Sequence, residues 1–130
     1  MADDRPGADL PHLPSAAPID AYGNGGFRFA GMSHRGSLVC LPDGIWPWPV
    51  ASFDVLTDED LAVVFARGTE LDMFLVGCGA DPHPLPDALR ERFHDLHIFV
   101  ESMPTGAAVR TYNILLAERR RIGAALIAVD

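Results

Sequence analysis

A chain of 130 residues, 48% hydrophobic and 22% charged, can bury one core, and none of its apolar runs is long enough to cross a bilayer as a helix. The formal net charge of −8, with ten basic residues that are all arginine, excludes the basic stripe of a nucleic-acid binder and any lysine Schiff base. Residues 1–6 are acidic and lack the apolar stretch of a secretory signal, so the expectation is a cytoplasmic protein that does not span a membrane.

Residues 1–18 carry Pro6, Pro11, Pro14 and Pro18 among acids, without periodicity. They read as a flexible tail, with a single folded domain over residues 19–130. Residues 19–41 read as strands. Residues 19–22 are short and alternating, and Gly23-Asn24-Gly25-Gly26 supplies the positive φ of a turn. Phe27-Arg28-Phe29 alternates, His34-Arg35-Gly36 reads as a turn, and residues 37–41 form a clear strand. Pro42-Asp43-Gly44 turns the chain again.

In Ile45-Trp46-Pro47-Trp48-Pro49 the two prolines forbid a central strand. Trp46 and Trp48 then belong either to a lid packed over the sheet or to a pocket wall or interface anchor. Thr57 reads as an N-cap, followed by acids that suit a helix start. Leu61, Val64 and Phe65 give the inner face of that helix, and Gly68 its left-handed cap. Residues 71–76 form a buried strand that runs into Gly77-Cys78-Gly79. Pro86 opens a helix carrying Leu89 and Phe93, and residues 98–102 form the next strand. A mostly apolar helix from Thr105 ends at Arg119-Arg120-Arg121, where cations suit the negative end of a helix. Gly123 is expected to break that helix before a final buried strand over residues 124–129. Helix and strand alternate through this half, which predicts a mostly parallel or mixed sheet with helices against it.

Gly77-Cys78-Gly79 lies at the carboxyl end of a strand, where α/β sheets make pockets, but it lacks the third glycine of a dinucleotide turn. His94 and His97 share helical spacing without a supporting carboxylate or cysteine pair, so no metal site is expected. Ser37 lacks the glycine frame of a nucleophile elbow, and no catalytic residue is assigned. Cys40 and Cys78 read as reduced buried thiols. The strongest site candidate is Arg110, Thr111 and Asn113 on the Thr105 helix. A buried arginine there needs a partner, either a carboxylate such as Glu101 or Asp72, or an anionic ligand in a cleft beside Gly77 and Gly79. Thr105 is expected to cap the helix, with its N-terminus open to an anion.

Met103-Pro104-Thr105-Gly106-Ala107-Ala108-Val109-Arg110-Thr111-Tyr112-Asn113, with Gly77-Cys78-Gly79 and Ile19-Asp20-Ala21-Tyr22-Gly23, resembles a family of small domains. That family is of largely unknown biochemistry and includes the mitochondrial complex I assembly factor 3 proteins. The resemblance covers residues 19–129. It implies a three-layer α/β domain around a central mixed β-sheet, with flanking helices and an added N-terminal β-hairpin layer. It also implies an assembly factor acting by protein contact, in the cytoplasm or at the periphery of the inner membrane. No catalytic residues are established for the family, so none carry over. The family usually has an acid before Thr105 and a cysteine before Arg110. This chain has Pro104 and Val109, which weighs against an enzyme.

Two functions follow as expectations. The first is a non-enzymatic interaction protein, without cofactor, that holds a protein client or a membrane complex through the Trp46–Trp48 segment. The second is a small-molecule or anion binder, or an unrecognised enzyme, with a pocket near Gly77, Gly79, Thr105 and Arg110.

Overall fold

The computed structural model describes residues 13–67 and 70–130. Residues 1–12 of the tail expected over 1–18, and the expected cap at Gly68, lie outside the described residues. Three short strands, β1 (Ala21–Gly23), β2 (Gly26–Phe29) and β3 (Met32–Arg35), make an antiparallel sheet in that order. Next come β4 (Ser37–Leu41), β5 (Gly44–Trp48), two 3-10 turns (Phe53–Val55 and Asp58–Leu61) and α1 (Ala62–Arg67). β6 (Met73–Gly77), α2 (Asp87–Asp95), β7 (Phe99–Met103), α3 (Thr105–Ala117) and β8 (Ile122–Leu126) complete the chain.

The central sheet has the order β5-β4-β8-β6-β7. β6 runs parallel to β7 and β8, whereas β4 is antiparallel to β5 and β8, so the sheet is mixed as the element pattern predicts. Period-two alternation divides its side chains between two cores. Val39, Leu41, Trp46, Trp48, Phe74, Val76 and Ala125 face α1 and α2, where they meet Leu61, Val64, Leu89 and Phe93. Leu38, Cys40, Ile45, Leu75, Ala124 and Leu126 face the other way, toward α3 and the small sheet, where they meet Phe27, Phe29, Ala108, Val109 and Tyr112. The domain is therefore three-layered, with the small sheet sharing one outer layer with α3.

Four local readings are corrected. Residues 34–36 do not make the turn. The chain turns at Ala30 and Gly31 (φ 50° and 75°), and Met32–Arg35 is a strand, polar and half-exposed, with little apolar alternation to reveal it. Gly123 does not break the helix, which ends at Ala117, but lies inside β8. A Cβ there would stand 3.0 Å from Phe74 Cδ1 and 3.1 Å from the Cys40 carbonyl oxygen, so glycine is what lets β8 fit beside its neighbours. The Thr57 helix begins as a 3-10 turn, with the Thr57 N–H donating to the Asp60 carboxylate at 2.8 Å.

The fourth correction concerns the tryptophans. Trp46 and Trp48 form neither a lid nor an exposed anchor, because they lie in strand β5 and are only 2% and 3% exposed. Trp48 Nε1–H donates to the Asp60 carbonyl at 2.7 Å. The prolines fit because β5 is an edge strand. The Ile45 N–H points outward, donating to the Leu13 carbonyl at 2.9 Å. Pro47 has the same strand parity, so its missing N–H costs no bond inside the sheet.

Candidate functional site

At the carboxyl ends of β6, β7 and β8 three chain segments are tied together by Thr105, the first residue of α3. Its hydroxyl is fully buried. It donates to the Ile127 carbonyl at 2.7 Å and accepts from the Gly79 N–H at 3.0 Å. The Thr105 N–H in turn donates to the Gly79 carbonyl at 2.9 Å, and the Cys78 N–H to the Met103 carbonyl at 2.9 Å. Thr105 therefore does not cap α3 as expected. Pro104 occupies the cap position, and no side chain caps the helix. The Thr105 hydroxyl points inward, where it pairs the buried Ile127 carbonyl and the partly buried Gly79 N–H.

The glycines have different uses here. A Cβ on Gly77 would lie 3.1 Å from both Cα and Oγ1 of Thr105, so Gly77 allows α3 to start against β6. Gly79 has φ +101°, which an L side chain rarely adopts, and it turns the chain out of the sheet. Gly106 lies under Tyr22, whose hydroxyl would collide with a Cβ at that position.

Above this knot lies an open trough of about 820 Å³. Cys78, Gly79, Ile127 and Ala128 contribute to it from the sheet's edge. Tyr22, Gly106, Ala107 and Arg110 line it from the layer of α3 and the small sheet. Phe53, Asp54 and His83 line it from the opposite layer, and the Phe53 and His83 rings stack with centroids 5.5 Å apart. The His83 loop is held by Ser102, whose hydroxyl donates to the His83 carbonyl at 2.7 Å. Cys78 Sγ lies 3.2 Å from both the Asp81 and the Met103 carbonyl oxygens and is 4% exposed.

Arg110 is exposed rather than buried, and among the described residues it forms no ion pair. Neither expected carboxylate holds it. Asp72 is bonded to Arg121 at 2.8 Å, and Glu101 is exposed on β7. The expectation of an all-round buried helix fails for the same reason. α3 buries Ala108, Val109 and Tyr112 but turns Arg110 and Ile114 (60% exposed) outward.

The candidate residues thus separate. Gly79 and Arg110 line the trough, with Gly77 and Thr105 directly beneath it. Thr111 does not line it, and Asn113 has a structural task elsewhere. Its side chain accepts from the Ile19 N–H and donates to the Ile19 carbonyl, both at 2.8 Å, clasping the segment before β1. Tyr22, Phe53, His83 and Asp54 carry no local signal of a shared site, because only the fold brings them together.

Both cysteines are free and buried. Burial pushes the Cys40 thiol up to about 12, against a smaller lowering by its hydrogen bond with Tyr112. Burial, and then the Cys40 charge, raises the Tyr112 hydroxyl as well. Cys40 is therefore an inert core thiol. Among the described residues no three His, Cys, Asp or Glu side chains group as a metal site. His97, at φ 59°, stands in the left-handed turn after α2.

A family model described as a protein of unknown function (DUF498/DUF598) matches residues 19–127. An uncharacterised protein of Rhodobacter capsulatus is 43% identical over 117 residues, covering 90% of this chain and 89% of its own length. The NADH dehydrogenase [ubiquinone] 1 alpha subcomplex assembly factor 3 of Mus musculus is 32% identical over 115 residues, covering 88% of this chain. The match spans 62% of that mouse protein's length. The crystal structure of a Bartonella henselae protein, described as an outer membrane protein, superposes with a TM-score of 0.88 at 48% identity. It covers 92% of this chain and 100% of its own.

Proposed function

We infer the function from the family: the chain belongs to the DUF498/DUF598 family of unknown function, which includes complex I assembly factors. From that membership we propose that it is a non-enzymatic interaction protein assisting assembly of a respiratory or other inner-membrane complex. The carrying observation is the extent of the likeness: the assembly factor of Mus musculus matches 88% of this chain, over the domain that holds the trough. No helix among the described residues is long and apolar enough to cross a membrane. In this reading contact with such a complex is made by the surface of the domain, in the cytoplasm or at the membrane's periphery. Because the tryptophans are core residues, the contact surface moves to the trough, where Arg110 and Tyr22 are exposed.

The test is deletion of the gene, with native gels of the respiratory complexes, followed by complementation with wild type and with Arg110→Glu. Accumulation of a subcomplex, rescued by wild type but not by the variant, is the expected result. Normal assembly in the deletion strain would sink the proposal.

A second reading rests on Arg110 having no ion pair among the described residues, in a trough this size: a small anionic ligand, with or without chemistry performed on it. Calorimetric titration of the pure chain with inorganic phosphate and with succinate tests it. The absence of heat at millimolar concentration would remove it.

A further inference from the structure

Building on the interaction reading above, we propose that the trough docks an extended peptide segment of mixed charge, with one of its carboxylates held by Arg110. Four observations converge on that occupant.

The first is shape. Tyr22, Ser52, Asp54, Ala80, His83 and Arg110 all line the trough and are all exposed. The site is a channel open to solvent rather than a chamber that closes around a metabolite. A small ligand gains affinity by burying most of its surface, and an open channel does not allow that.

The second is charge. Among the described residues Arg110 is the one arginine that lines the trough, and Asp54 and Asp130 line it too. A compact multivalent anion such as phosphate would meet one guanidinium and two carboxylates. A segment carrying an acid for Arg110 and a base or N–H groups for the aspartates matches all three. Charge complementarity of this kind selects partners.

The third is the main chain. Ile127, Ala128 and Val129 follow β8 and contribute to the lining. The Ile127 N–H is spent on Gly77, the Ala128 N–H on Ser37 Oγ, and the Val129 carbonyl on the Gly25 N–H. Among the described residues the Ala128 carbonyl and the Val129 N–H have no hydrogen-bond partner. They are the two ends of one trans peptide unit and point to opposite sides, so at most one of them can pair with the backbone of a chain lying in the trough.

The fourth is the aromatic flanks. Tyr22 stands on one side of the trough and the stacked Phe53–His83 pair on the other. Flat amphipathic rings on opposite walls suit successive side chains of an extended peptide, because they give contact area at low entropic cost.

The test uses the full chain, immobilised, and a phage-displayed library of random dodecapeptides. Wild type is expected to enrich a consensus with one fixed Asp or Glu beside an apolar residue. Arg110→Glu lies at an exposed position, and its fold is checked by circular dichroism. It should bind the selected peptides roughly tenfold or more weakly and select Lys or Arg at the fixed position. Tyr22→Ala should weaken the same peptides without altering that charge preference. No consensus with wild type, or the same acidic consensus with Arg110→Glu, would overturn the proposal. So would competition of every selected peptide by succinate alone. Selection is made outside the cell, so the two proposals fail separately. A deletion strain with normal complexes removes the assembly role and leaves the peptide site, and an assembly defect without a peptide consensus does the reverse.

Discussion

The two ends of the central sheet use arginine in opposite ways. At the amino ends of β6 and β8, Arg121 is satisfied at once. Its guanidinium bonds both Asp72 oxygens, at 2.8 and 3.2 Å, while its carbonyl accepts from the Asp72 N–H at 2.9 Å. At the carboxyl ends Arg110 stands in a trough of about 820 Å³ without an ion pair among the described residues. The first end closes on itself, and the second leaves a cation, a tyrosine hydroxyl and main-chain groups available. Because the strands and helices here follow β–α–β order, the open end is the end at which such sheets place ligands. The difference teaches that the polar groups of α3 have unequal duties: Thr105 and Asn113 hold the fold, and Arg110 is left over from it.

The largest expected effect destroys both ends together. Trp46→Ala would empty a fully enclosed site in the core beneath α1 and α2. A loss of about 3–5 kcal/mol is expected, read by urea denaturation. The same experiment decides between core and interface. A variant as stable as wild type would mean that Trp46 contributes little to packing, against its 2% exposure.

Thr105→Val should loosen the open end selectively. It keeps the side-chain volume but leaves the Gly79 N–H and the Ile127 carbonyl, both hydrogen-bonded to the hydroxyl, unpaired. A cost of about 2–3 kcal/mol is expected, since buried groups stripped of partners carry their full desolvation penalty. Hydrogen exchange should rise at Gly79 before it rises at Met73, whose N–H bonds the Arg121 carbonyl at the closed end. Uniform acceleration at both ends would show that the knot is not local.

Between the ends lies a pH effect of the core. The folded state holds the Cys40 thiol at about 12, whereas the unfolded chain titrates at the ordinary 9.0. The raised folded value means that the folded state keeps its proton longer. Stability from this group is complete below pH 9 and is lost as pH climbs toward 12, because there only the unfolded chain releases a proton. One such group contributes a slope of about 1.4 kcal/mol per pH unit inside that window. Tyr112 adds to it in the same direction, since its hydroxyl is raised too. Thermal melts between pH 8.5 and 10.5 should show a falling midpoint, and Cys40→Ala should flatten the fall. An unchanged slope in the variant would remove Cys40 as its source.

Much of this architecture is legible in the chain. Alternating helix and strand periods give the mixed sheet, and the strand preceding Gly77-Cys78-Gly79 places the site at a carboxyl edge. What escapes is of three kinds. β3 is polar on both sides, so no period marks it. Gly123 looks like a breaker until the Phe74 ring and the Cys40 carbonyl are seen against it, a contact between residues distant in sequence. Pro47 excludes a central strand but allows an edge strand, and only the pairing of β5 shows that it stands at the end of the sheet. The trough is the least legible part. Tyr22, Phe53, His83 and Arg110 come from four separated segments, and no local spacing signals that they meet. The apolar neighbours of Arg110 suggest burial, whereas helical geometry sets it on the opposite side from Ala108 and Tyr112.

The smallest expected effects on stability sharpen the comparison most. Arg121→Ala breaks an exposed ion pair, with side chains 63% and 47% accessible, whose geometry is good but whose charges are screened by water. A slight lowering of the melting midpoint is expected at low salt, fading as ionic strength rises above about 0.15 M. Arg110→Ala should lower the midpoint at neither salt, because no pair is lost. The order then reverses in binding, where Arg110→Ala should abolish the acidic preference of selected peptides and Arg121→Ala should leave it intact. If both substitutions lowered stability equally and neither touched binding, the two ends would be equivalent. Arg110 would then be one more solvated charge on a chain that carries −8 overall.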